Sequence, residues 1–285
     1  MMQGESPAGM IKLGLKWIFV IILIVGMFLM LALLWLARPL EKSAEIINVL
    51  SPSLLIAHAG GAIGGHTYTN SKEALANALD NGFQYIELDL YETSDSNVVC
   101  LHSLEDYREM TSADCEILDT KSFLGHQLYG KYTPMTLNDA IKIWEERPFY
   151  FVTDKISDPK ILNRYFKRNR NKVIVEAFSL DDYIQLERDG YTPMFSIMAL
   201  NVRGLYLYIL NSIKYGKGIP QIVTNTYVSK YVYRIYKRLG AQQIAVYSLY
   251  DEDYQKLHER EYLEKYAGRE VDLVYVDFVK PNVKP

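Results

Sequence analysis

From residue 54 onward the chain alternates short strand-like runs with helical stretches, and this alternation constrains the fold more than any other feature. The strand-like runs stand at 54–58, 84–90, 98–102, 149–154, 172–178, 194–198, 221–224, 243–249 and 272–278. Between them, residues 71–81 bring Ala74, Leu75, Ala78 and Leu79 onto one helical stripe, and Leu137, Ile141 and Trp144 form another behind Thr136 as N-cap. Strand–helix alternation implies a parallel sheet flanked by helices, and its length suits one closed α/β barrel. The gap between Leu90 and Val98 is too short for a crossover helix. "YETSDSN" therefore reads as a turn and 98–102 as a strand outside the regular barrel. The fold class is α/β: a distorted (β/α)8 TIM barrel preceded by one N-terminal transmembrane helix. The stretch "ALNVRGLYLYILNSIKYG" (199–216) reads by default as a barrel helix, and its tyrosines also suit contact with a membrane interface.

The transmembrane assignment rests on residues 17–37, 21 positions without a charge, enough helix for a hydrocarbon core of about 30 Å. A signal peptide would have an apolar region of roughly 7–15 residues and a small-residue cleavage site; Leu36-Ala37-Arg38-Pro39 makes a poor one. The organisation is thus a tail over 1–16, an anchor over 17–37, a juxtamembrane linker over 38–53 and a barrel over 54–285. Lys12 and Lys16 precede the span and Arg38 and Lys42 follow it with Glu41 and Glu45, which favours a barrel outside the cytoplasm. With 31 Lys+Arg against 34 Asp+Glu, the chain has no global basic field for nucleic acid. Cys100 and Cys115 could pair outside the cell or remain buried thiols.

The chemistry-bearing residues stand where strand runs end. "LIAHAGGAIGGH" (55–66) delivers His58 to a glycine-rich loop. Its glycines serve either a tight turn or the close approach of an anionic group to the histidine. Glu87 and Asp89, at i and i+2, project from one strand face, a repulsive pairing that either a solvated polar face or a hard divalent cation would relieve. His102 ends another run, and Asp154 and Lys155 end a fourth. In an α/β barrel these ends converge at one face. Two histidines, acidic oxygens for a cation and a lysine are what phosphoryl transfer requires.

With those residues in place, the chain resembles the glycerophosphodiester phosphodiesterases, TIM barrels related to phosphatidylinositol-specific phospholipases C and to spider-venom sphingomyelinase D. The resemblance runs in order through His58-Ala59-Gly60, Thr69-Asn70-Ser71, Glu87-Leu88-Asp89, the Thr93–Asp95 turn and His102-Ser103. It continues more weakly through "YTPMTLNDAI", Asp154-Lys155 in place of Glu-x-Lys, "VIVEAFSL", "IAVYSLYDED" and "VDLVYVDFVKP". It implies that His58 and His102 are the acid/base pair and that Glu87, Asp89 and Asp154 ligate a divalent cation, Mg2+ or Ca2+. Lys155 would bind phosphate, and Tyr247 would stand at the family's aromatic wall. Three departures mark this chain: Ala59 replaces a phosphate-clamping arginine, Asp154 is one methylene shorter than the family's glutamate, and Ser103 replaces an aspartate that would support His102.

The reading is a membrane-anchored, metal-dependent phosphodiester hydrolase, with the glycine loop after His58 making room for the diester. Without the arginine, a glycerophosphodiester, lipid head group or envelope polymer with a larger, lipid-linked or polymeric organic part is favoured over small diesters. Its rivals are a catalytically weakened barrel that binds a phosphorylated ligand and a phospholipase D-like enzyme that releases a cyclic phosphate.

Overall fold

In the computed structural model, which describes residues 7–36, 38, 48–114, 116, 118–248 and 252–282, the chain divides into two units, Met1–Glu41 and Lys42–Pro285. The first contains α1 (Pro7–Leu36). Its segment Lys16–Leu36 is long and apolar enough to cross a membrane, by length and composition. Its apolar side chains, Trp17 to Trp35, are exposed. Ala37, residues 39–47 of the linker, and Cys115 lie outside the described residues. Cys100 is a buried thiol.

In the second unit the strands are β1 (Leu55–Ala57), β2 (Tyr85–Glu92), β3 (Val98–Cys100), β4 (Tyr150–Asp154), β5 (Val173–Ala177), β6 (Thr192–Ser196), β7 (Gln221–Asn225), β8 (Gln243–Tyr247) and β9 (Leu273–Val276). Every strand but β3 joins one parallel sheet in the order β1-β9-β8-β7-β6-β5-β4-β2, and β1 pairs with β2 to close it. The helices are α2 (Lys72–Asp80), α3 (Leu104–Thr111), α4 (Thr120–Leu124), α5 (Leu137–Glu146), α6 (Pro159–Tyr165), α7 (Leu180–Arg188), α8 (Asn201–Tyr215), α9 (Lys230–Arg238) and α10 (Glu252–Tyr266). The extra strand behaves as its short connection requires. β3 runs antiparallel to the far end of β2, with Leu90 opposite Cys100 and Glu92 opposite Val98.

Both faces of the strands are apolar because both are covered. One face packs under the helices. The other fills the barrel with Ile56, Val152, Ile174, Met194, Val223, Ala245 and Leu273. This floor is apolar, and the acidic and imidazole side chains stand toward the C-terminal strand ends, where the interior meets solvent. Sequence devices fix the helices. Thr136 and Asp139 form a reciprocal capping box at α5, and Ser71 caps α2 through the Ala74 N–H. Two elements refine the sequence reading. β6 begins two residues earlier than the 194–198 run, with Pro193 inside the strand opposite Val175, and Met198 turns outward. Residues 201–215 form a barrel helix whose Gly204 lies so close to the Ala199 carbonyl and the Tyr236 hydroxyl that a side chain there would collide with both.

Candidate active site

The seven residues singled out from the sequence (His58, Glu87, Asp89, His102, Asp154, Lys155 and Tyr247) all line one cavity of about 430 Å3 at the C-terminal end of the barrel. Parallel register explains the convergence. Asp89 is level with Asp154 on the adjacent strand, and Tyr247 ends β8. Lys155 follows Asp154 directly, so ordinary strand geometry would send it to the opposite face. Its φ of 70° instead turns the chain. Its N–H donates to Asp154 Oδ1 at 2.6 Å, its ammonium lies 3.4 Å from Asp154 Oδ2, and both side chains reach the cavity. This left-handed residue accommodates the lost spacing between acid and lysine.

Each histidine has its own carboxylate. His58 Nδ1 sits 3.3 Å from Asp277 Oδ1 and 3.4 Å from Oδ2. The Glu259 carboxylate fixes that aspartate's segment by accepting the Asp277, Phe278 and Val279 N–H groups at 2.7, 2.9 and 2.6 Å. Burial alone would lower the pKa of His58, but Asp277, with Glu87 and Asp89 behind it, carries it up to about 10. His102 Nδ1 lies 2.6 Å from Asp106 Oδ2. The same oxygen accepts the Ser103 hydroxyl, while Ser103 Oγ accepts the Asp106 N–H and caps α3. The carboxylate missing at position 103 is thus supplied three residues later, brought round by the first turn of α3. With both Nδ1 atoms engaged, Nε2 is the ring nitrogen each histidine has left for a ligand. The Tyr68 ring packs against both imidazoles, at 4.7 Å from His58 and 4.9 Å from His102.

Glu87 and Asp89 are buried, and burial raises both carboxyl pKa values, with repulsion from Asp89 and Asp154 adding to it at Glu87 and from Asp154 at Asp89. Glu87 Oε2 accepts the Ala59 N–H at 2.7 Å, and Asp89 Oδ2 accepts Asn70 Nδ2 at 2.9 Å. Their other oxygens, Glu87 Oε1 and Asp89 Oδ1, are buried without a hydrogen-bond partner. Such orphaned oxygens are costly unless positive charge offsets them. Hard oxygen donors in this state fit a divalent cation. Among the described residues no three acidic, thiol or imidazole groups already converge on one point, and Lys155 holds Asp154. Next to Asp154, Glu176 is buried, and burial and then Asp154 push its carboxyl up to about 8, while Tyr275 donates to its Oε1 at 2.6 Å.

Sequence reasoning assigned no role to Asp277, Asp106, Tyr68, Asn70 or Glu176. Asp277, Asn70 and Glu176 stood inside motifs that were noted, whereas Asp106 carried no local signal. The glycine loop also acts otherwise than expected. None of Gly60, Gly61, Gly64 and Gly65 lines the cavity. Gly60 and Gly61, both at φ 82°, turn the chain against α2 and the end of β9, and a Cβ on Gly60 would lie 3.1 Å from that of Ala74. Ala59 is fully buried beside them. The loop's contribution to the cavity is Tyr68.

Residues 61–178 match the model of the glycerophosphoryl diester phosphodiesterase family, which bears out the resemblance drawn from the motifs. A comparison with curated proteins finds no match. Among solved structures the chain is similar to a putative glycerophosphodiester phosphodiesterase from Galdieria sulphuraria, at 15% identity and a TM-score of 0.60, covering 83% of this chain and 96% of that one. An Oleispira antarctica phosphodiesterase in complex with the product sn-glycerol-3-phosphate gives 15% identity and a TM-score of 0.61, over 79% and 93% of the two chains. The Thermotoga maritima glycerophosphodiester phosphodiesterase gives 20% and 0.54, over 79% and 95%. At these identities the structures establish the shared barrel.

Proposed function

We propose that the chain, a phosphodiester hydrolase whose residues 61–178 belong to the glycerophosphoryl diester phosphodiesterase family, cleaves its diester by proton transfer between His58 and His102 beside a divalent cation. One observation carries the reading: two histidines, each held at Nδ1 by its own carboxylate, share a cavity with two buried, unpartnered carboxylate oxygens. Hydrolysis breaks the bond from phosphorus to the leaving alcohol and forms one to a water oxygen. The largest upward pull on the His58 pKa is Asp277, which is not among the proposed ligands, so His58 holds its proton near neutrality and donates it to the leaving oxygen. His102, oriented by Asp106, accepts the proton of the attacking water. Lys155 places a fixed positive charge at the phosphate, and Tyr247 offers a flat wall to the organic part. Glu87, Asp89 and Asp154 would hold Mg2+ or Ca2+, which when bound adds positive charge for the phosphate oxygens. A glycerophosphodiester is the substrate class that the family match and the Oleispira product complex support.

The test is calorimetric titration of Mg2+ and Ca2+ into the wild type and the Glu87→Gln and Asp89→Asn variants, with circular dichroism to check folding. Both variants should stay folded and lose cation binding. Unchanged affinity in both removes the metal assignment. Clear diester hydrolysis that survives both His58→Ala and His102→Ala removes the acid/base assignment.

A further inference from the structure

A second cavity, of about 410 Å3, lies between the start of α7 and one face of α8. Its walls mix apolar side chains, Leu180 from the start of α7, Phe195 and Ile197 from the end of β6 and Leu207 from α8, with the polar Ser179 and Asp181. Asn211 and Lys214 continue the α8 face, at helical spacing from Leu207. Phe178 and Ser196 line both this cavity and the active-site cavity, so the two adjoin at the C-terminal ends of β5 and β6. A pocket of this volume and lining suits the buried part of an organic ligand.

The surface beside it is apolar too. Val202, Tyr206, Ile209 and Ile213 recur at i, i+4, i+7 and i+11 along α8, and they are 80%, 63%, 39% and 72% exposed. Met198, which lines the active-site cavity, is 70% exposed just before the helix. A stripe of large apolar side chains facing water is unusual on a single barrel helix and marks a surface that meets something apolar.

Resting on the phosphodiesterase reading above, we infer that the α7–α8 cavity receives an alkyl or acyl chain of a lipid diester whose phosphate sits between His58 and His102. The chain enters past Phe178 and Met198, and the α8 stripe lies along its path from the lipid surface. The substrate is therefore a phosphodiester with one long apolar arm. Burying such an arm removes many methylenes from water, each favourable, which offsets the charge lost with Ala59.

The experiment uses the full chain in lipid nanodiscs with two phosphodiester probes that differ only in the chain, methylphosphocholine and dodecylphosphocholine, the latter below its micelle-forming concentration. Binding and hydrolysis are measured for the wild type, Leu207→Trp and Asn211→Trp; each substitution fills the cavity from the half-buried face of α8. The wild type should favour the dodecyl ester by about tenfold or more in affinity, and at least one folded variant should lose that preference. Equal affinity for both probes in the wild type overturns the inference, as does a preference that both folded variants retain. Preferential binding of the dodecyl ester without hydrolysis of either probe supports the subsite and overturns the reaction. Hydrolysis of both with equal kcat/KM supports the reaction and overturns the subsite.

Discussion

Asp106 stands one helical turn beyond His102, and that placement lets a chain with serine after the histidine keep a carboxylate on the ring. Burial alone would raise the Asp106 pKa, but the hydrogen bonds from His102 and Ser103 bring it below the usual carboxylate range. The aspartate thus holds the imidazole as an anion. Loss of a charge-assisted hydrogen bond costs roughly 1.5–3 kcal/mol, so Asp106→Asn should lower kcat about tenfold or more with KM little changed. Steady-state kinetics on a diester the wild type turns over checks this; a change confined to KM would move Asp106 out of the proton-transfer machinery. His58, Glu87 and Asp89 were legible in the sequence because residue type, strand position and motif coincide. Asp106 was not, because its role depends on how the α3 turn folds back, and a lone aspartate in "SLEDY" has no local mark.

Helix termini carry much of the local specification. Thr136 accepts the Asp139 N–H at 3.1 Å, and Asp139 accepts the Thr136 N–H in return. Thr136→Ala should therefore cost about 1 kcal/mol, seen as a lower midpoint in thermal or urea unfolding. On α2, the Glu73 carboxylate accepts both the N–H and the hydroxyl of Thr133, each at 2.7 Å, and ties that helix to the loop before α5. Burial pulls its pKa upward, but the Thr133 bonds bring it below the usual value. A carboxyl lowered in the folded state contributes stability that is present above its unfolded pKa and lost as pH falls through the folded one. Glu73→Gln should accordingly flatten the fall of Tm below about pH 4.5, and a Tm–pH slope identical to wild type would exclude the contribution. The Thr136 cap was readable because a cap is a pattern of three or four adjacent residues, whereas the Glu73–Thr133 tie joins positions 60 apart. The start of β6 was not readable either, since a proline in a run normally argues against a strand, and here the pairing of Val175 with Pro193 overrides it.

For the whole molecule, the apolar length of Lys16–Leu36 leads us to propose an integral protein with its barrel outside the cytoplasm. It should remain in the membrane pellet at alkaline pH, and protease added to intact cells or spheroplasts should digest the barrel. Release into the alkaline supernatant would end the anchor reading, and protection of the barrel in both preparations would reverse the orientation. The sequence alone determined the alternation of elements, the odd place of the 98–102 strand, the apolar span and the types of group at the strand ends. Each of these is written in neighbouring residues, where periodicity, turn length and motif spacing act. Tertiary structure decided what those groups become. His58 meets Asp277 only because β1 pairs with β9, and Glu176 meets Tyr275 across 99 positions only because the sheet closes. Lys155 joins Asp154 only because its backbone takes a left-handed turn at the barrel rim. Contacts between distant segments depend on closure and register, and no local pattern of residues carries that information.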